Sequence, residues 1–182
     1  MIDPEKDLIE KAKTADQTAF GILYDQYNKQ IYRFILLKVS HRQTAEDITH
    51  QVFLSAWLNI RGYKNQGFPF STWLYRIARN KIIDFYRTKR EIVEIDDETN
   101  QKITDYIAID TAEKANRTWE LEHIKKAITS LKPEYQDILI MRFIEDMSIR
   151  DIAKIIEKSE GAVKLIQHRA MEQLKNIIHK KG

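Results

Sequence analysis

The chain has 182 residues, 43% hydrophobic and 31% charged, with a formal net charge of +3 and only 5 Gly and 3 Pro, a mixture that suits a helix-rich fold of one medium or two small domains. Cysteine is absent, which excludes disulfides, thiolate metal sites and cysteine nucleophiles. No apolar run approaches the roughly 18 residues needed to cross a bilayer, and the charged start Met-Ile-Asp-Pro-Glu-Lys-Asp has no apolar signal stretch, so a cytoplasmic chain without direct membrane insertion is expected.

A short helix is expected near Glu5 to Lys13. From Asp16 to Val39 the residues Ala19, Phe20, Leu23, Tyr27, Ile31, Phe34, Ile35 and Leu37 recur at helical spacing. Thr44 to Leu58 reads as a further helix, with Thr44 and Asp47 as a capping box and Ile48, Val52 and Ala56 facing inward. Gly62, Asn65, Gly67 and Pro69 make Arg61 to Phe70 a loop. Ser71 is placed to cap a long helix from Thr72 to about Arg90, burying Leu74, Ile77, Ala78, Ile82 and Phe85. Residues 1–91 thus form a first helical domain. Residues 92–113 are acidic, with Lys102 their lone cation, and have no sustained period; they read as a linker.

Residues 114–182 form the second domain. Helical periodicity resumes with Trp119, Leu121, Ile124, Ile128 and Leu131, and Pro133 fits the first turn of a helix to about Phe143. Ser148 and Asp151 make a capping box for a short helix, Ile149 to Ile156. Glu157-Lys158-Ser159 is the break, and Ser159 caps a second helix from Glu160 to about Ile178. A short helix, a three-residue turn and a longer basic helix make a helix-turn-helix, with Ile152, Ala153, Ile156, Val163, Ile166, Ala170 and Leu174 inward. Its outward face offers Glu160, Lys164, Gln167, His168 and Arg169, side chains that suit phosphates and base edges.

Charge is segregated along the chain. Arg76, Arg79, Lys81, Arg87, Lys89 and Arg90 are opposed only by Asp84, and the end turns basic again with Lys164, Arg169, Lys175, Lys180 and Lys181. Two cationic zones separated by an acidic one suggest two polyanion-binding surfaces, although charge runs also form ordinary solvated helix faces.

Several stretches resemble the sigma factors of bacterial RNA polymerase. Ala19-Phe-Gly-Ile-Leu-Tyr-Asp-Gln-Tyr through Ile31-Tyr-Arg-Phe, then Ala45-Glu-Asp-Ile through Trp57, then Phe70-Ser-Thr-Trp-Leu-Tyr-Arg-Ile-Ala-Arg-Asn-Lys-Ile-Ile-Asp84 look like sigma region 2. Leu131-Lys-Pro-Glu-Tyr-Gln-Asp-Ile-Leu, Ser148-Ile-Arg-Asp-Ile-Ala, Glu160-Gly-Ala-Val-Lys and His168-Arg-Ala look like sigma region 4. Two such regions without further domains are similar to the extracytoplasmic-function (ECF) subgroup. The resemblance implies an all-α fold of two helical domains joined by an acidic linker.

It also implies partners: core RNA polymerase through its clamp coiled coil and flap, promoter DNA at the −10 and −35 elements, and an anti-sigma factor. Asp47, His50, Gln51 and Leu54 would face the clamp, with His50 and Gln51 departing from the family's Gln-Glu pair. Arg61, Tyr63, Lys64, Phe68, Phe70, Trp73, Arg76, Arg79, Asn80, Lys81 and Arg87 would hold the melted strand. Stacking of an unpaired base on an aromatic ring, worth about 1–3 kcal/mol, is comparable to the stacking lost on melting. Each such aromatic taken alone is more often core than a base platform. Glu160, Lys164, Gln167, His168 and Arg169 would read the upstream element, with Leu165 and Ile166 replacing the family's Ser-Arg. No catalytic constellation, metal site, cofactor or small-molecule substrate is expected. The rival readings are a stand-alone helix-turn-helix regulator and a sigma mimic that sequesters an anti-sigma factor.

Overall fold

The computed structural model describes residues 3–95 and 125–179, and among them every regular element is helical. Short polar caps set where the helices begin. Asp3 accepts from the Glu5 N–H at 3.1 Å to start α1 (Pro4–Lys13), and Asp16 accepts from Thr18 and Ala19 at 2.9 and 3.0 Å to start α2 (Gln17–Val39). Ser40 ends α2 in a left-handed conformation, φ 54°, its N–H returning to the Leu36 carbonyl at 2.8 Å. The next helix, α3 (Arg42–Asn59), starts two residues before the expected point. His41 is its cap: Nδ1 accepts from the Thr44 N–H at 3.2 Å, so Thr44 lies inside the first turn and the Thr44–Asp47 capping box does not form.

A short 3-10 turn, Ile60–Gly62, leads into an irregular loop, and α4 (Phe70–Ile95) follows. Two corrections attach to α4. Its first turn already contains Phe70, Ser71 and Thr72, so Ser71 is not its cap. The helix also runs on through residues 92–95, which the sequence assigns to the linker. The amphipathic spacing of α4 carries it past the first acids. The rest of the expected linker, together with Trp119, Leu121 and Ile124, lies outside the described residues.

In the second half, residues 125–129 are helical, and α5 (Pro133–Leu139) widens into a π-type turn, Ile140–Ile144. Then come α6 (Ile149–Ile156) and α7 (Glu160–His179). The expected capping box is present here: Ser148 Oγ accepts from the Asp151 N–H at 3.0 Å and donates to its carboxylate at 2.8 Å. Ser159 Oγ accepts from the Ala162 N–H at 3.1 Å. Ile152, Ala153, Ile156, Val163 and Ala170 are buried as expected, and Ile155 is buried as well.

Helices α1 to α4 pack around Leu23, Ile31, Phe34, Ile35, Val52, Ala56, Leu74 and Ala78. The two halves do not stand apart: α4 lies against α6, and α2 against the π-type turn. Ile138, Ile140, Met141, Ile152 and Val163 of the second half therefore join the same apolar cluster as the first, and burying this continuous surface is the main favourable term holding the halves together.

The caps and the core differ in weight. Ser148→Ala is expected to cost about 1 kcal/mol and Ile152→Ala about 2–5 kcal/mol. Urea unfolding followed by circular dichroism reads both, and equal losses would contradict the assignment of Ile152 to the core.

Candidate nucleic-acid interface

Three exposed surfaces emerge from this frame. The first is one side of α3. Asp47, His50, Gln51 and Leu54 recur at three- and four-residue spacing and all face solvent, while Ala45, Ile48, Val52 and Ala56 take the opposite, buried side. Leu54 is 59% exposed and Leu58, one turn on, 69% exposed. Two leucines this bare beside polar neighbours mark a surface suited to a protein partner. The sequence reading had missed Leu58, although it continues the same spacing.

The second surface is the loop before α4 and the first turns of that helix. Asn65 Oδ1 accepts from the Gly67 N–H at 2.9 Å, and Gly67, φ 77°, takes a left-handed bend that lets the loop fold back. Tyr63 and Trp73 are half-buried and stand with ring centroids 5.0 Å apart. Together with Phe68, Thr72, Arg76 and Lys154 they line a cleft of about 240 Å³. Thr72 is buried, and its Oγ1 has no hydrogen-bond partner among the described residues. Burial raises the Tyr63 hydroxyl pKa above its ordinary value, assisted by Glu5.

Phe70, expected here as a stacking platform, is corrected to a core residue. It is 2% exposed, and its ring packs against Tyr27, Tyr63 and Trp73 at 5.7, 5.2 and 5.5 Å. Phe70 at the first turn continues the inward stripe of Leu74 and Ala78, so no face of it is left for a base. Arg61, Lys64 and Asn80 are exposed, Lys81 is half-buried, and Arg87 pairs with Asp84 along its own helix at 3.1 Å.

The third surface is the outer side of α7, where Glu160, Lys164, His168 and Arg169 are exposed. His168 faces Glu172 one turn away at 3.7 Å. Gln167, expected on this outward face, is corrected to a half-buried position, with Oε1 enclosed and unbonded among the described residues. Leu165 is 50% exposed and Ile166 packs against the core.

The structure also brings together charges that periodicity had not paired, all at the junction of the halves. Asp137 lies between Lys38, 2.7 Å away, and Arg79, whose Nε donates at 2.9 Å. The Lys38 and Asp137 side chains are only 4% and 5% exposed. Lys38 Nζ also donates to the Pro133 carbonyl at 2.9 Å. Burial lowers the Lys38 pKa and outweighs the attraction of Asp137. A second carboxylate, Glu145, receives a two-pronged Arg33 guanidinium at 2.7 and 2.5 Å and the Tyr75 hydroxyl at 2.9 Å. Its side chain is 1% exposed. The hydrogen bond to Glu145 raises the Arg33 pKa. At the rim Arg76 pairs with Glu157, and the Phe68 ring lies under Arg150 and Lys154, 4.5 and 5.4 Å from its centroid. Arg150 thus stacks on the first half. Arg76 and Arg79, expected to be free for DNA, are occupied by carboxylates.

Among the described residues no group of His, Asp or Glu is arranged to hold a metal ion, and no helix is long and apolar enough to cross a membrane. Residues 23–92 match the family model Sigma-70 region 2, and residues 121–174 match Sigma-70, region 4. The ECF RNA polymerase sigma factor SigW of Bacillus subtilis is 32% identical over 177 residues, covering 93% of this chain and 94% of SigW. The ECF RNA polymerase sigma factor BldN of Streptomyces coelicolor is also 32% identical, over 174 residues. That alignment covers 94% of this chain but 65% of BldN. CnrH, solved in complex with the cytosolic domain of CnrY, superposes with a TM-score of 0.74 at 20% identity, covering 99% of this chain and 100% of that one. At that identity the likeness concerns the fold.

The Tyr75 hydroxyl gives the junction a pH signature. Burial, then the neighbouring Glu145 carboxylate, pushes its pKa far above the ordinary value of 10.0. The unfolded chain therefore loses this proton first as pH rises, so the stability contributed by Tyr75 is whole below pH 10 and declines above it. Spectrophotometric titration should show a phenol that ionises only as the chain unfolds, and Tyr75→Phe should remove it. Ionisation of Tyr75 with the exposed tyrosines would contradict this burial.

Proposed function

This chain belongs to the ECF family of RNA polymerase sigma factors, and from that premise we propose how its surfaces divide the work of initiation. The observation that carries the reading is the exposed apolar and cationic surfaces lying on the matched regions, in the family's order. Residues 1–91 form the polymerase- and −10-binding domain, 92–113 the linker, and 114–182 the −35-binding domain. Asp47, His50, Gln51 and Leu54, extended by Leu58, dock on the clamp coiled coil of core polymerase, and the second domain meets the flap. The bare leucines support this, because their burial against a partner is favourable without any change in the chain's own core.

Promoter opening falls to the loop and α4. Tyr63, Phe68 and Trp73 present ring faces or edges around the cleft, and the unbonded Thr72 hydroxyl there supplies one donor and acceptor for a base edge. Arg61, Lys64, Arg76, Arg79, Asn80, Lys81 and Arg87 hold the strand around it. Capture of one unpaired base, at about 1–3 kcal/mol, shifts a nearly balanced melting equilibrium without consuming fuel. The chain has no chemical step of its own. On α7, Glu160, Lys164, His168 and Arg169 read the −35 element in the major groove, with Gln167 contributing only where its half-buried amide can reach. The protein works in the cytoplasm, and an anti-sigma factor regulates it.

Transcription in vitro with core polymerase tests this assignment. Leu54→Asp should abolish co-elution with core enzyme while helicity is kept. Alanine at Lys164 or Arg169 should weaken binding of duplex upstream DNA by about 1–3 kcal/mol where the lost contact is to a base. Arg79→Ala in the holoenzyme should slow open-complex formation, read by permanganate reactivity of the melted thymines. Initiation at no new site when the wild-type chain is added to core enzyme and a genomic template library would overturn the reading.

A further inference from the structure

The cleft in front of α4 carries more chemistry than a stacking platform needs. Lys64, Arg76 and Lys154 line it beside the rings of Tyr63, Phe68 and Trp73, and none of its lining residues is acidic. We propose that it is also a receptor for a free mononucleotide, a nucleoside carrying one phosphate, which the chain binds without polymerase or promoter. The inference deepens the reading of this cleft as a base pocket and rests on it.

Size and chemistry select that ligand. At about 240 Å³ the cleft lies below the roughly 300 Å³ at which pockets for drug-sized molecules begin, so it has room for one nucleotide and not for two. Aromatic walls hold a planar base by stacking, whatever the base, because each has a π-face. Thr72 is 4% exposed, and its Oγ1 has no hydrogen-bond partner among the described residues. A buried hydroxyl left unbonded is costly, and a base or sugar edge placed here supplies its partner. Lys64 is exposed and pairs with no acid among the described residues, and its ammonium suits a phosphate. Arg76 gives one nitrogen to Glu157, but a guanidinium has five N–H donors and keeps others for a phosphate. Lys154 stands 5.4 Å from the centroid of the Phe68 ring, so a cation meets the aromatic wall where base and phosphate must both be held.

The neighbouring cleft limits the number of phosphates. Phe68, Arg76 and Lys154 line both clefts, so the two are continuous, and the second has a volume of about 480 Å³. Its far part is lined by Glu157 and Glu160 as well as Lys158, and Lys158 is drawn to Glu134 at 3.2 Å. A tail of two or three phosphates leaving the first cleft runs against those two carboxylates, whereas a single phosphate stays among Lys64, Arg76 and Lys154. Like charges facing one another disfavour the longer tail. Volume admits a polyphosphate, and charge rejects it. A mononucleotide bound here takes the place that the proposed function gives to the unpaired base, so the two exclude each other.

Calorimetry on the full chain tests this with adenosine 5′-monophosphate as the probe, and with adenosine, inorganic phosphate and adenosine 5′-triphosphate as separate arms. The monophosphate should bind about tenfold more tightly than any of the other three. Thr72→Val should weaken it about fivefold, the worth of one hydrogen bond, and Thr72→Ala is read in its place if that variant loses helicity. Lys64→Gln should weaken the monophosphate and spare adenosine. Saturating monophosphate should also displace a fluorescent single-stranded oligonucleotide carrying a −10 sequence. No saturable binding of the monophosphate, a triphosphate that binds as tightly or more so, or an affinity that neither substitution moves would each overturn the proposal. Failure of the base-pocket reading looks different. In that case the monophosphate binds through Thr72 and Lys64 but leaves oligonucleotide binding unchanged, and Thr72→Val holoenzyme opens promoters at the wild-type rate.

Discussion

One buried carboxylate organises the join between the two halves. Asp137 is enclosed with Lys38 and Arg79, and an ion so placed is tolerable only while its partners stay in position, since an unpaired buried charge costs several kcal/mol. Apolar surface is less exacting, because it is non-directional and permits many packings of one helical bundle on another. The shared cluster of Ile138, Ile140, Met141 and Ile152 with the α2–α4 core supplies attraction, and Asp137 selects one orientation. Glu145 repeats the device just after the π-type turn that follows α5, with Arg33 and Tyr75 as its partners. Two buried carboxylates, each with cationic or hydroxyl donors from the other half, fix both position and rotation.

Helix α4 carries two demands at once. Leu74, Tyr75, Ala78 and Ile82 bury one side of it, and the intervening Arg76, Arg79 and Asn80 are left at the margin. Spacing alone forces this, because residues two and five positions along from Leu74 fall on flanks of the helix that its buried stripe does not cover. The margin is therefore cationic wherever the core needs α4 to be amphipathic. Cations at a margin bind whichever anion is near, so a strand-binding surface and a docking surface for acidic side chains come from the same few residues.

Much of this architecture is legible in the sequence. The helix-turn-helix could be read almost to the residue, because Ser148, Asp151 and Ser159 are strong local caps and Val163 and Ala170 keep a clean period. The start of α3 escaped because histidine is an uncommon cap, and Thr44 three residues before Asp47 imitated a capping box. Phe70 escaped for a different reason. Gly67 and Pro69 beside it mark a loop, yet the ring itself stands four residues before Leu74 and eight before Ala78 and belongs to their stripe. The junction charges were hardest, since periodicity finds apolar residues and ignores charged ones. A signal existed nonetheless: Lys38 occupies the inward register of Ile31, Phe34 and Ile35, and Asp137 stands beside the apolar run from Ile138 to Met141. A charge on a core stripe needs a counter-charge, and matching Lys38 with Asp137 would have joined the halves from sequence alone.

The candidate site is legible in its chemistry but not in its occupancy, and Phe68 shows why the difference matters. From sequence it is an aromatic in a loop beside a basic helix, which is a fair description of a base platform. In the structure its ring already carries Arg150 and Lys154. A cation over an aromatic face is worth about 0.5–1 kcal/mol where solvent reaches it, and a stacked base about 1–3 kcal/mol. A stacked base is thus at least comparable with the two cations it displaces, and those cations remain free to meet phosphates. The enclosed Lys38–Asp137 and Tyr75–Glu145 pairs offer DNA no such direct exchange, because they lie beneath the rim. The rim is accordingly where nucleic acid can compete, and the buried carboxylates are where the packing of the two halves keeps its strength.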